Sequence, residues 1–114
     1  MINIKNLCRF YKTGDLSVKA VDHIDLEIKK GEFSVLSGPS GSGKTTLLNL
    51  IGGIDIPNSG EIFLDEVSLH DKTESELTNI RLTKIGFVFQ AYNLLPVLTV
   101  YENIQLILEV LKDI

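Results

Sequence analysis

The residues of this 114-residue chain whose types and spacing can do chemistry are Gly38-Pro39-Ser40-Gly41-Ser42-Gly43-Lys44-Thr45, which satisfy G-x-x-x-x-G-K-[ST] at every fixed position. Glycines let a backbone curl until successive N–H groups point inward at phosphate oxygens, in space that larger side chains would fill. A helix beginning near Gly43 adds the positive end of its dipole. Lys44 then reaches the β- and γ-phosphates as a point charge, and the Thr45 hydroxyl is a ligand for Mg²⁺, whose other positions go to phosphates and water. The plainer account is a glycine turn at a helix start with a solvated lysine. With Gly at ~7% of residues, however, the four fixed positions would coincide in well under ~1% of chains this long, so the spelling points to nucleotide phosphate. Alone, it fits kinases, GTPases and many ATPases equally.

Such a loop needs a strand before it and a helix after it, and the sequence offers both. Phe33-Ser34-Val35-Leu36-Ser37 is short and β-prone, and Lys44 to Ile51 carries helix formers including Leu47, Leu48 and Leu50. Gly52-Gly53 stops that helix, and Pro57-Asn58-Ser59-Gly60 turns into a strand over Glu61-Ile62-Phe63-Leu64. Upstream, Met1 to Leu7 alternates, and Val21, Ile24, Leu26 and Ile28 continue a strand-like pattern, with Tyr11-Lys12-Thr13-Gly14-Asp15 read as the loop between them. A β-rich opening over about residues 1–31 results. Downstream, Thr73 with Glu76 forms a capping box opening a helix to about Lys84, and Thr99 with Glu102 forms a second. Between them Ile85-Gly86-Phe87-Val88-Phe89 is a nearly unbroken apolar run, the type expected of a strand covered on both faces, and Gln90 ends it. In the last helix Glu102, Gln105, Glu109 and Lys112 make one polar stripe on a mostly apolar surface. The expected fold is α/β, in one domain over residues 1–114 with no repeat or linker dividing it.

Composition narrows the function classes. At 44% hydrophobic and 23% charged residues the chain is globular rather than disordered. Eleven Lys and Arg against 15 Asp and Glu leave a net charge of −4, so no overall basic field exists for nucleic acid, and Arg81 with Lys84 is read as a solvated face. The single cysteine, Cys8, makes no internal disulfide and is read as a small core residue, in keeping with a reducing cytoplasm. No apolar run approaches the ~18 to 20 residues of a membrane span.

Three features beyond the loop carry a family resemblance: Tyr11 between early strands, Gln90 at the end of the next core strand, and the β-rich region ahead of the phosphate loop. Together they resemble the nucleotide-binding subunit of ABC transporters over essentially the whole length. The resemblance implies a P-loop NTPase core with an amino-terminal antiparallel β subdomain, truncated, binding ATP and Mg²⁺. It implies that Tyr11 stacks on adenine and that Gly38, Ser40, Gly41, Ser42, Gly43, Lys44, Thr45 and Thr46 hold the phosphates. Gln90 becomes the glutamine of the Q-loop, meeting Mg²⁺ or water near the γ-phosphate, so that Lys44 and Gln90 form the catalytic end and Thr45 and Gln90 the metal end. Those roles suit the residues. A tyrosine face stacks on any purine, worth ~1 to 3 kcal/mol per base in nucleic-acid systems, and a glutamine donates and accepts hydrogen bonds without charge. Ile51-Gly52-Gly53-Ile54-Asp55, Ile85 to Gln90 and Asn93 to Ile104 are similar to the lipoprotein-release and macrolide-export branch, and peptide-antibiotic exporters share them.

The resemblance also implies partners. A permease subunit in the membrane docks after the Q-loop, where Leu94, Leu95, Val97 and Leu98 lie. ATPase domains pair as a homodimer or pseudo-dimer, and the location is the cytoplasmic face of the membrane through the permease. Family members are about twice this length, and their second half supplies the signature motif, the Walker B carboxylates and a switch histidine. A fragment is therefore expected, one that binds ATP more readily than it turns it over. His23 and His70 precede Gln90 and are read as surface or turn residues. Ile62-Phe63-Leu64-Asp65-Glu66 imitates a Walker B segment, but its short apolar run between a Pro-Asn-Ser-Gly turn and Val67-Ser68-Leu69 reads as a hairpin. Two alternatives remain open: a nucleotide-binding module without catalysis, and a soluble ABC ATPase of translation or DNA repair.

Overall fold

The computed structural model describes residues 1–112; Asp113 and Ile114, the end of the expected domain, lie outside the described residues. The chain divides into two compact units, one from Met1 to Thr78 and one from Asn79 on.

The first unit is built on a four-stranded antiparallel sheet of order β2-β1-β3-β4. Strands β1 (Ile2–Thr13) and β2 (Leu16–Ile28) form a long hairpin, with Thr13 opposite Leu16, so only Gly14 and Asp15 are left for the turn. Gly14 has φ 63°, which a two-residue hairpin turn demands and glycine supplies without strain. The strands thus reach further than the alternation suggested, and Tyr11 lies in β1 opposite Val18 rather than in a loop. Polar residues at the hairpin tip hid those strands, because a tip that covers no core needs no alternation. The β1–β2 register slips between Ile4 and Leu7, between Leu7 and Arg9 and between Arg9 and Phe10; Asn6 and His23 take φ near +50° there. These irregularities let neighbouring Leu7 and Cys8 both be buried, which a regular strand with one covered face would not allow.

Strand β3 (Ser59–Leu64) pairs with β1 and turns through Asp65 and Glu66 into β4 (Val67–Ser68). Helix α1 (Lys44–Ile51) buries Leu47 and Leu50 in the same core as Ile4, Leu7, Val21 and Ile62. It ends as its two glycines require: Gly52 N–H bonds Leu48 O at 2.9 Å and Gly53, with φ 71°, bonds Leu50 O at 3.1 Å. Helix α2 (Glu74–Lys84) opens on the expected box, with Glu76 N–H to Thr73 Oγ1 at 3.2 Å and Thr73 N–H to Glu76 Oε2 at 3.3 Å, and seats Leu77 in the core.

In the second unit, α3 (Val100–Lys112) opens on the other box, with Glu102 N–H to Thr99 Oγ1 at 3.1 Å and Thr99 N–H to Glu102 Oε1 at 3.0 Å. Its apolar residues are uncovered: no residue of α3 is buried, and Ile104, Ile107, Leu108 and Leu111 are all exposed. The polar stripe is present, and Gln105 Nε2 donates to Glu109 Oε1 at 3.0 Å.

Two expected strands are absent among the described residues: neither Phe33–Ser37 nor Ile85–Phe89 enters a ladder. An apolar run becomes a strand when neighbours hydrogen-bond its edges and layers cover its faces. Here Phe33 is 92% and Val88 100% exposed, so neither condition is met.

Candidate nucleotide-binding site

The glycine loop is placed by the hairpin and the helix on either side of it. Gly43 caps α1 in the left-handed region at φ 93°, and a Cβ there would lie 2.1 Å from the carbonyl oxygen of Ala20 in β2. Only glycine permits both the dihedral and this approach of loop to strand. Gly41 also has positive φ, at 81°, and a Cβ on Gly38 would crowd Ser42 Oγ at 2.9 Å. Ser42 N–H donates to Pro39 O at 3.2 Å, closing the curl. The first turn of α1 has no side-chain cap and no acidic residue, so its N–H groups lack the carboxylate or hydroxyl that helix starts ordinarily carry. That donor set suits an anion.

Lys44 Nζ folds back over the loop, donating to the carbonyls of Gly38 and of Pro39, the latter at 2.9 Å. Its ammonium thus lies at the mouth of the cradle, while the following Thr45 is exposed and Thr46 is half-buried. Beside the loop lies a cleft of about 400 Å³ between β2 and the start of α1, lined by Lys19, Val21, Leu36, Ser42, Lys44 and Leu47 among others. Fixed glycine dihedrals, an uncapped helix start and a lysine over the loop fit a nucleoside triphosphate with its Mg²⁺.

Tyr11 stands on β1 with 37% of its surface exposed. Its hydroxyl donates to Asp55 Oδ2 at 2.5 Å, and the Arg9 guanidinium lies 4.4 Å from its ring centroid. Arg9 Nε also donates to Asp55 Oδ2, at 3.0 Å. Asp55 is delivered by the glycine stop after α1: Ile54 and Asp55 N–H groups both bond Asn49 O, and the chain turns back toward β1. Three residues on, Asn58 Oδ1 accepts from Phe10 N–H at 2.7 Å and Arg9 Nη1 at 3.4 Å. Burial works against the Asp55 carboxylate, but hydrogen bonds from Tyr11, from Ile56 N–H and from Arg9 outweigh it and hold the carboxyl below its ordinary range. The motifs of the sequence do not point to Arg9, Asp55 or Asn58, because Arg9 lies 46 residues from Asp55 and 49 from Asn58.

Gln90 is exposed and lies in the second unit, after the apolar run and not at the end of a strand. In the same unit, Leu94, Leu95 and Val97 are exposed and Leu98 is half-buried. The segment is knitted by Asn103, whose Oδ1 accepts from Leu95 N–H at 2.9 Å and whose Nδ2 donates to the carbonyls of Leu95, Leu98 and Thr99. Asn103 too was invisible to motif reading.

Other candidates resolve structurally. Asp65 and Glu66 form the β3–β4 turn, Asp65 at φ 54° with its carboxylate 2.8 Å from the amino terminus, so the Walker B imitation is a hairpin. Cys8 is in the core; its Sγ accepts from His23 N–H at 3.3 Å, and with exposed Asp22 and His23 it is a group of three potential metal ligands within 4.8 Å. His23 Nδ1 already pairs with Asp22 Oδ1 at 2.6 Å, closer than two ligands of one ion sit. His70 lies in a turn, as one of the two expected placements has it, and is half-buried: its Nδ1 accepts from Ile62 N–H at 3.2 Å and its ring meets Phe63 edge-on.

A curled glycine loop running into an uncapped helix behind a β-rich opening defines a P-loop nucleotide-binding domain with an amino-terminal antiparallel sheet. Comparison with known proteins specifies it further. The family described as ABC transporter matches residues 21–113. An ABC transporter ATP-binding protein of Methanocaldococcus jannaschii, MJ0796, is 49% identical over 106 residues, covering 93% of this chain and 45% of that protein. The macrolide export ATP-binding/permease protein MacB of Campylobacter fetus is 44% identical, over 93% of this chain and 16% of MacB. A solved dimeric, post-hydrolysis state of the MJ0796 cassette bound to ADP and Pi superposes with a TM-score of 0.92 at 47% identity, covering 96% of this chain and 47% of that one. The chain belongs to the ABC transporter family, as an amino-terminal part of its ATPase domain. It spans about half the length of the ATP-binding relatives it matches and a smaller share of MacB.

Proposed function

We propose that this chain binds MgATP and that the protein to which it contributes hydrolyses ATP to drive a membrane partner in export or in lipoprotein or peptide handling. The observation that carries the reading is the phosphate cradle: Gly41 and Gly43 at positive φ, an uncapped α1 and Lys44 over the loop. In this reading Gly38 and Ser40 to Thr46 hold the phosphates, Ser42 by its hydroxyl while its N–H closes the curl onto Pro39, and Lys44 offsets the γ-phosphate charge. Thr45 and Gln90 supply ligands to Mg²⁺, and Tyr11 stacks on adenine. The ADP and Pi in the MJ0796 cassette support the choice of nucleotide. MacB, whose name joins ATP-binding and permease functions, supports a membrane partner over a soluble ATPase of translation or repair. No helix among the described residues is long and apolar enough to cross a membrane, so attachment to the cytoplasmic face is assigned to the permease. The exposed Leu94, Leu95 and Val97 are the docking contacts, and pairing of ATPase domains follows the dimer of the MJ0796 cassette.

Lys44→Ala is the direct test. Hydrogen bonds to charged groups contribute about 1.5–3 kcal/mol, so MgATP affinity measured by calorimetry falls about tenfold to a hundredfold. Unchanged affinity in a folded variant overturns the phosphate-loop assignment.

A further inference from the structure

We infer that Asp55, with Arg9, is a positioning residue for the adenine platform, holding the Tyr11 ring so that one face only receives the base; this rests on the base-stacking role given to Tyr11 above. An aromatic ring on an exposed strand has two usable faces and rotates about χ1 and χ2, so a base gains little from it until both freedoms are removed. Both are removed here. The Tyr11 hydroxyl is anchored to Asp55 Oδ2 at 2.5 Å, fixing the far end of the side chain. The guanidinium of Arg9 lies 4.4 Å from the ring centroid and occupies one face, leaving the other for a purine. Arg9 is in turn held by the same Asp55 oxygen at 3.0 Å and reaches Asn58 Oδ1 at 3.4 Å, so one carboxylate oxygen fixes the ring and the cation covering it.

The geometry explains the location of Asp55. The glycine stop of α1, the helix whose start forms the phosphate cradle, turns the chain so that Asp55 meets β1. The base platform and the phosphate cradle are thereby tied to opposite ends of one eight-residue helix.

The test separates base from phosphate. Mg²⁺ complexes of ATP and of inorganic tripolyphosphate are titrated against the longest chain the gene encodes and its Tyr11→Ala, Tyr11→Phe and Asp55→Ala variants. Tyr11→Ala is expected to weaken ATP about tenfold or more, with tripolyphosphate within about twofold. Asp55→Ala and Tyr11→Phe are each expected to weaken ATP about three- to tenfold without moving tripolyphosphate, and Tyr11→Phe combined with Asp55→Ala to be no weaker than Asp55→Ala alone. Tyr11→Phe removes one hydroxyl and leaves the core intact, so it decides the matter if Asp55→Ala does not fold. The inference is overturned if Asp55→Ala shifts both ligands equally or neither, or if Tyr11→Phe binds ATP like the parent while Tyr11→Ala does not. If Tyr11→Ala itself leaves ATP affinity unchanged, the base-stacking role is wrong and the positioning role goes with it.

Discussion

Single residues decide this site because each carries a task no neighbour can take over. Gly43 must be glycine for its dihedral and for its contact with Ala20, and Lys44 must follow it at the first position of α1. Those requirements are local, and the sequence displays them as spacing. Asp55 is the contrary case: an aspartate after a Gly-Gly stop looks like a turn residue, and only the fold brings it to Arg9 and Tyr11. Its protonation has a signed consequence. Because its folded-state pKa lies below the ordinary carboxylate value of about 3.9, the carboxylate contributes stability that is fully present above that value. The contribution is lost as pH falls through the lowered folded value. Urea unfolding of the parent and of Asp55→Asn, compared from pH 7 down to pH 3, is expected to show a stability gap constant near neutrality that closes in the acid range. A gap that widens on acidification contradicts the sign.

Elements were legible where their signals are contained within a few residues of chain. Both capping boxes, the glycine stop of α1 and the β3–β4 hairpin are as expected, since each is a hydrogen-bond pattern spanning at most four or five residues. The polar tip of the β1–β2 hairpin carries no alternation that would mark its full length. Phe33–Ser37 and Ile85–Phe89 show the opposite case: their apolarity suits cover but cannot say which strands provide it. The β3–β4 turn also settles a functional question at this scale. Asp65 and Glu66 occupy a two-residue connection whose acid is tied to the chain's own amino terminus, and both residues are exposed. Glu66→Gln in the longest chain the gene encodes is therefore expected to leave steady-state ATP hydrolysis within about twofold, whereas a carboxylate that polarises the attacking water contributes typically 10²- to 10⁴-fold. Loss of turnover with ATP binding intact contradicts the hairpin reading.

At the scale of the whole molecule, the first unit has a core, whereas no apolar residue described between Asn79 and Lys112 is buried. Ile4, Leu7, Cys8, Leu50 and Ile62 are each at most 2% exposed, whereas α3 contains no buried residue. Apolar surface of this extent is ordinarily covered, and burying it is worth roughly 25 cal/mol per Å². A fully buried leucine or phenylalanine gains about 1.5–3 kcal/mol over an exposed one, so a handful of such residues outweighs the cost of associating at micromolar concentration. The 114-residue chain expressed by itself is accordingly expected to self-associate with increasing concentration in sedimentation velocity and to enhance the fluorescence of an apolar dye. Ile107→Lys with Leu108→Glu, both on exposed α3 positions, should shift the distribution toward monomer while far-ultraviolet circular dichroism stays unchanged, because neither side chain is buried in the structure. A parent chain that remains monomeric and dark to the dye contradicts the expectation that the apolar surface of α3 drives association.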